Sequence, residues 1–111
     1  MIAREEISKV QADKILVQAP HDIPPSMVAE YINRYLTALP DAKTALDRCD
    51  DGYLWGLGHR LKGTGGSFGI PALTQIGAVI EEVAQRGDIA ELRRQVAELE
   101  AYLSRLEVLP D

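Results

Sequence analysis

At 111 residues, 46% of them hydrophobic, the chain has material for one small globular domain with a modest core. Its net charge of -5 argues against nucleic acid, whose phosphates an acidic surface repels. The single cysteine, Cys49, can form neither an internal disulfide nor a zinc set, which fits a reducing compartment and a packing role. Met1 to Glu6 hold no apolar run for a signal peptide, and no stretch of ~20 apolar residues could span a bilayer, so the expected location is cytoplasmic.

Residues 1–23 are the least regular part. Val10, Ile15, Leu16 and Val17 are apolar without sustained helical spacing, and Pro20, Pro24 and Pro25 stop a helix from running on. An extended arm is expected here, able to hold a short strand or a helical turn and packed across the rest; His21 lies in it as a surface residue. From Pro24 or Ser26 a helix is predicted, with proline in its first turn and Ser26 as a candidate cap. Val28, Tyr31, Ile32, Tyr35 and Leu39 recur at three- and four-residue steps, the mark of one buried face. Pro40 interrupts that run. A second segment restarting at Pro40-Asp41 would bury Ala42, Ala45, Leu46 and Cys49, as a kinked continuation or as a separate helix, before Asp50-Asp51-Gly52 turns the chain.

After the next helix frays around Gly65 to Gly69, Pro71 opens another whose inner face is Leu73, Ile76, Ile80 and Val83 and whose left-handed stop is Gly87. Asp88 and Glu91 have capping-box spacing with Asp in place of Ser or Thr. In the last helix Ile89, Leu92, Val96, Leu99, Leu103 and Leu106 alternate steps of three and four through to Pro110. The expectation is an all-α protein: an antiparallel four-helix bundle over residues 24–111 with an extended N-terminal arm over 1–23.

The functional signal lies in residues 52–69. As a helix at ~100° per residue, this stretch places Leu54, Leu57, Leu61, Thr64 and Phe68 within about 40° of the direction opposite His59. The apolar stripe enters a core, so His59 points outward. Its helix neighbours at three, four and seven residues are Trp55, Gly56, Lys62, Gly63, Gly52 and Gly66. Seven of the nine glycines fall between positions 52 and 69, and each inside a helix costs roughly 0.5–1 kcal/mol relative to alanine. Access is the reading that justifies the loss: bare backbone lets a second protein bring a reactive group up to the ring. Lys62 adds a positive charge near any phosphoryl group the ring carries. A neutral imidazole, with an unperturbed pKa of ~6.5, is nucleophilic at nitrogen.

The order Gly58-His59-Arg60-Leu61-Lys62-Gly63, followed by Phe68-Gly69, resembles the histidine phosphotransfer (HPt) domains of bacterial multistep phosphorelays, whose hallmark is His, any residue, Leu, Lys, Gly, then a hydrophobic residue and Gly. The resemblance spans about Pro24 to Leu106. It implies that His59 is phosphorylated, that Lys62 assists electrostatically, and that Gly63 opens the approach of a response-regulator receiver domain. Where family members often carry a small residue such as Ala before the histidine, Gly58 stands here, a mild change. Where many have an amide or acidic residue on the following helix near the histidine, the matching position is Glu81.

Each residue also has a plain structural reading. A lone exposed histidine on a helix is usually surface; the glycine clearing and Lys62 lift His59 above that. Trp55 is either a partner-docking anchor or a half-buried cover beside the arm. Glu81 and Glu82 are most often solvated helix charges. Gly63-Thr64-Gly65-Gly66-Ser67-Phe68 has Phe where a dinucleotide fingerprint needs glycine, and Lys62 lacks the phosphate-loop order. Two distant histidines and one cysteine make a metal site unexpected. A sensor-kinase dimerisation helix usually has an acidic residue directly after its histidine; here it is Arg60, and an ATP-binding domain is not expected.

The resulting expectation is a phosphocarrier rather than an enzyme, without metal or cofactor of its own. His59, Lys62 and Gly63 form the reacting centre, and Trp55, Gly56, Gly66 and Glu81 the partner-binding face. The partners implied are receiver domains, which bring the Mg²⁺, and a hybrid sensor kinase; the expected state is a monomer. The alternative is an unphosphorylated adaptor or inhibitor that binds a receiver or kinase through the same face, and a purely structural helical domain ranks last.

Overall fold

The structure, a computed structural model, describes residues 13–110. The first half of the arm, Val10 included, lies outside them. Four helices follow a short strand: β1 (Ile15–Val17), α1 (Pro25–Asp47), α2 (Asp51–Thr64), a single 3₁₀ turn (Gly66–Phe68), α3 (Pro71–Arg86), α4 (Ile89–Arg105) and β2 (Leu106–Val108). Short connections fold the helices back on one another as a bundle, with α1 against α4 and α2, and α3 against α2 and α4. Their apolar stripes meet in one core that includes Val28, Tyr31, Leu39, Leu54, Leu57, Leu61, Leu73, Ile80, Leu92 and Leu99. Fully burying each such Leu or Ile is worth roughly 1.5–3 kcal/mol. No helix among the described residues is long and apolar enough to cross a membrane.

The arm does hold a strand. β1 pairs in parallel with β2, Ile15 opposite Leu106 and Val17 opposite Val108, and the Leu109 amide donates to the Val17 carbonyl at 2.9 Å. This corrects the last seam: α4 ends at Arg105, and Leu106 is extended at φ -73°, ψ 134°. Periodicity put Leu106 on the helix because it falls three residues after Leu103. The parallel pairing with Ile15–Val17 wins instead.

Proline acts differently at its several positions. Pro24 is the N-cap residue of α1 and makes no side-chain cap bond, and with Pro25 opening the helix Ser26 is already inside it. Ser26 is therefore not the cap. Pro40 sits inside one continuous helix, so the reading with a separate second helix falls. It lies on the exposed side, where water can meet the carbonyl it leaves unpaired.

Cys49 is exposed, not packed. α1 ends in a Schellman motif: the Cys49 amide donates to Leu46 O at 3.1 Å and the Asp50 amide to Ala45 O at 2.8 Å, with Cys49 in the left-handed region at φ 55°. That turn delivers Asp50, whose Oδ1 accepts from the Tyr53 amide at 3.1 Å and caps α2. Gly87, at φ 72°, ends α3 as expected, and Asp88 Oδ1 caps α4 by accepting from the Glu91 amide at 3.1 Å. The reciprocal half of the capping box is absent, because the Glu91 carboxylate accepts from Arg94 and Gln95.

Tyr31 fixes the end of α2 against α1. Its ring stacks on Phe68 with centroids 4.2 Å apart, and its hydroxyl lies 2.7 Å from Thr64 Oγ1. Thr64 donates to Arg60 O at 2.7 Å, so the tyrosine hydroxyl is the donor between the two. Burial pushes that hydroxyl up to about 12, which keeps its proton in place. Tyr31→Phe is expected to lower unfolding stability in urea by about 1 kcal/mol, the net worth of one such bond.

Candidate functional site

α2 presents its apolar face, Leu54, Leu57 and Leu61, to the core and His59 to the opposite side, where its side chain is 61% exposed. Lys62, one turn on, is half exposed. Glu81 of α3 reaches both. Its Oε2 lies 2.6 Å from His59 Nδ1, and its Oε1 accepts from Lys62 Nζ at 3.0 Å. The hydrogen bond from His59, and then that from Lys62, hold the Glu81 carboxyl below the usual carboxylate range. An ionised carboxylate only accepts, so Nδ1 carries the proton. In the neutral ring this leaves the lone pair on Nε2.

Glu81 can close on His59 because α2 and α3 nearly touch. A Cβ at Gly58 would stand 2.6 Å from the Glu81 amide nitrogen and 2.7 Å from Gly77 O; one at Gly77 would stand 2.5 Å from the Lys62 amide nitrogen. The two glycines face each other across the crossing and bring the histidine and carboxylate elements into hydrogen-bond range. Glycine at position 58 is therefore not a mild change in this chain: its missing side chain makes room for the α3 backbone.

The other glycines divide in the same way. A Cβ at Gly65 would meet the Thr74 amide at 2.6 Å, and Gly69 is left-handed at φ 82°. Access thus explains only part of the cluster, and close helix packing the rest. Gly63 is open, with nothing within 4 Å of a would-be Cβ, and Gly56 is bounded by the Arg60 guanidinium at 3.4 Å. Gly66 does not stand at a seven-residue helical step from His59, because α2 ends at Thr64; its amide donates to Thr74 Oγ1 at 2.9 Å in the following turn.

Trp55, 40% exposed, is stacked on the imidazole, with ring centroids 4.7 Å apart and planes 10° from parallel. His59, Lys62, Glu81 and Trp55 therefore form one cluster, with Gly56 and Gly63 beside it. His21 lies elsewhere, on an open depression formed by Gln18 to Pro25. Gly77 is the residue that sequence reasoning passed over; its signal was a glycine in the middle of an otherwise regular amphipathic helix, one turn before Glu81.

The class that fold and site define is a helical bundle displaying one histidine, oriented by a carboxylate from the neighbouring helix. Residues 26–108 match the family model of the Hpt domain, and the chain belongs to that family. Hpt domains act in histidine phosphotransfer in phosphorelays; they are phosphocarriers, not kinases, and they interact with receiver domains. No curated protein and no solved structure matches the chain.

Proposed function

We propose that His59 takes a phosphoryl group from the aspartate of one receiver domain and passes it to the aspartate of another. The observation that carries this reading is the bond from His59 Nδ1 to Glu81, because it assigns the nucleophilic lone pair to the other nitrogen of a ring that is mostly in solvent. In the forward step Nε2 attacks phosphorus in line: the N–P bond forms, the acyl O–P bond breaks, and the receiver carboxylate leaves with the electron pair. The Nδ1 proton stays on the ring, where Glu81 offsets the positive charge that develops. Return to a second receiver reverses these events. Mg²⁺ and the acidic pocket belong to the receiver; a hybrid sensor kinase would supply the first of these receivers.

Lys62 sits in an ion pair with Glu81 at rest, which holds its charge one turn from the ring, beside the incoming phosphoryl oxygens. Gly56 and Gly63, beside the ring, keep clear the face on which the receiver docks. Such an encounter is transient and small in area. The protein works as a monomer in the cytoplasm, with Cys49 as a free thiol.

Incubation with a phosphorylated receiver domain tests the reading. Label on this protein that is labile to acid and stable to alkali supports the carrier; complex formation without label overturns it in favour of an adaptor. Glu81→Ala removes the ring's orienting partner, and a misplaced reacting group can cost about 10²-fold. The expected result is a transfer rate lower by roughly 10–100-fold, with Glu81→Gln, which retains an acceptor oxygen, closer to wild type.

A further inference from the structure

The imidazole is held on two sides, and only one of them is Glu81. A long side chain on a helix leans back over the preceding turn, so the indole of Trp55 and the ring of His59, four residues apart, meet face to face. The indole covers one face of the imidazole. Glu81 ties one edge through Nδ1. What remains is the other face and the edge bearing Nε2. A ring that could turn about its side-chain bonds would swing Nε2 out of line with an incoming phosphorus atom, and the stack opposes that turning without touching the reacting nitrogen.

Trp55 stands outside the core at 40% exposure, and its aromatic partner among the described residues is the His59 ring. Gly56 beside it and Gly52 one turn earlier carry no side chain that could displace the indole.

We infer that Trp55 is a positioning residue: it clamps the His59 ring in the rotamer that presents Nε2, and so sets the rate of phosphoryl transfer rather than the affinity for the receiver. The inference rests on the phosphocarrier reading for its rate effect, but the clamp itself can be read without phosphorus.

The test compares wild type with Trp55→Phe and Trp55→Leu by two measurements. The first is the proton NMR spectrum of the unphosphorylated protein. A stacked indole shifts the Cδ2 and Cε1 protons of His59 upfield; the shift is expected in wild type, partly kept in Trp55→Phe, and lost in Trp55→Leu. Equal His59 shifts in wild type and Trp55→Leu would overturn the clamp. The second measurement is phosphorylation by phosphoramidate, a donor too small to need a docking surface: Nε2 bonds to phosphorus as the donor's P–N bond breaks and ammonia leaves.

Trp55→Leu is expected to slow this reaction about two- to tenfold, the range that loss of one aromatic stack corresponds to, with Trp55→Phe near wild type. With a phosphorylated receiver the same loss should fall on kcat, leaving KM nearly unchanged. A Trp55→Leu variant that reacts normally with phosphoramidate but shows a raised KM for the receiver overturns the proposal and makes Trp55 a docking anchor. Wild type that takes no phosphorus from either donor overturns the carrier reading, and the NMR shifts then decide the clamp alone.

Discussion

His59→Gln is expected to take up no acid-labile phosphate from a phosphorylated receiver, while folding and receiver binding persist. The chemistry leaves no substitute: an amide nitrogen has its lone pair in resonance with the carbonyl and is no nucleophile, whereas the neutral imidazole has an in-plane pair at Nε2. The fold has little stake in the ring, which is 61% exposed and outside the core. Glutamine can still donate to Glu81, and Lys62 keeps its bond to the same carboxylate. Unfolding stability should therefore fall by no more than about 1.5 kcal/mol, the upper range for loss of the stack on Trp55. The second histidine, His21, is the internal control. His21→Gln should label like wild type, and label surviving in His59→Gln but lost in His21→Gln would move the phosphoacceptor to the arm.

The helical faces were legible because their signal is redundant. Val28, Tyr31, Ile32, Tyr35 and Leu39 all lie buried along α1, and Leu92, Val96, Leu99 and Leu103 along α4, so one misread residue changes nothing. Ends of elements carry no such redundancy. Leu106 fits the α4 spacing and still leaves the helix, because its fate depends on Ile15, a strand partner ninety-one positions away that no local pattern reveals. Cys49 fits the inner face of α1 and is exposed, because the turn that ends the helix reverses the chain one step earlier. His59 could be placed outward from the position of the leucines opposite it, a property of one helix. Its contact with Glu81 could not, since it belongs to two helices and to the distance between them. The glycines held information of both kinds, and sequence alone does not separate a glycine facing solvent from one facing another backbone.

That distinction produces opposite signs at two glycines of the same site. Gly63→Ala adds a methyl group where nothing lies within 4 Å, so the ordinary helix preference for alanine should stabilise the fold by roughly 0.5–1 kcal/mol. Gly77→Ala enjoys the same preference, but its Cβ would lie 2.5 Å from the Lys62 amide nitrogen, 2.6 Å from Leu61 Cβ and 2.7 Å from Gly58 O. Two of these three atoms are backbone and cannot rotate away; α2 and α3 must separate. Overpacking of this kind costs about 1–3 kcal/mol, which exceeds the propensity gain, so urea denaturation should show Gly77→Ala less stable than wild type and Gly63→Ala more stable. Separation of the helices also draws Glu81 away from His59, so the folded fraction of Gly77→Ala should transfer phosphate slowly, in the manner of Glu81→Ala. A Gly77→Ala protein as stable as wild type would show that the crossing has slack, and the glycine pair would then have no part in bringing carboxylate and imidazole together.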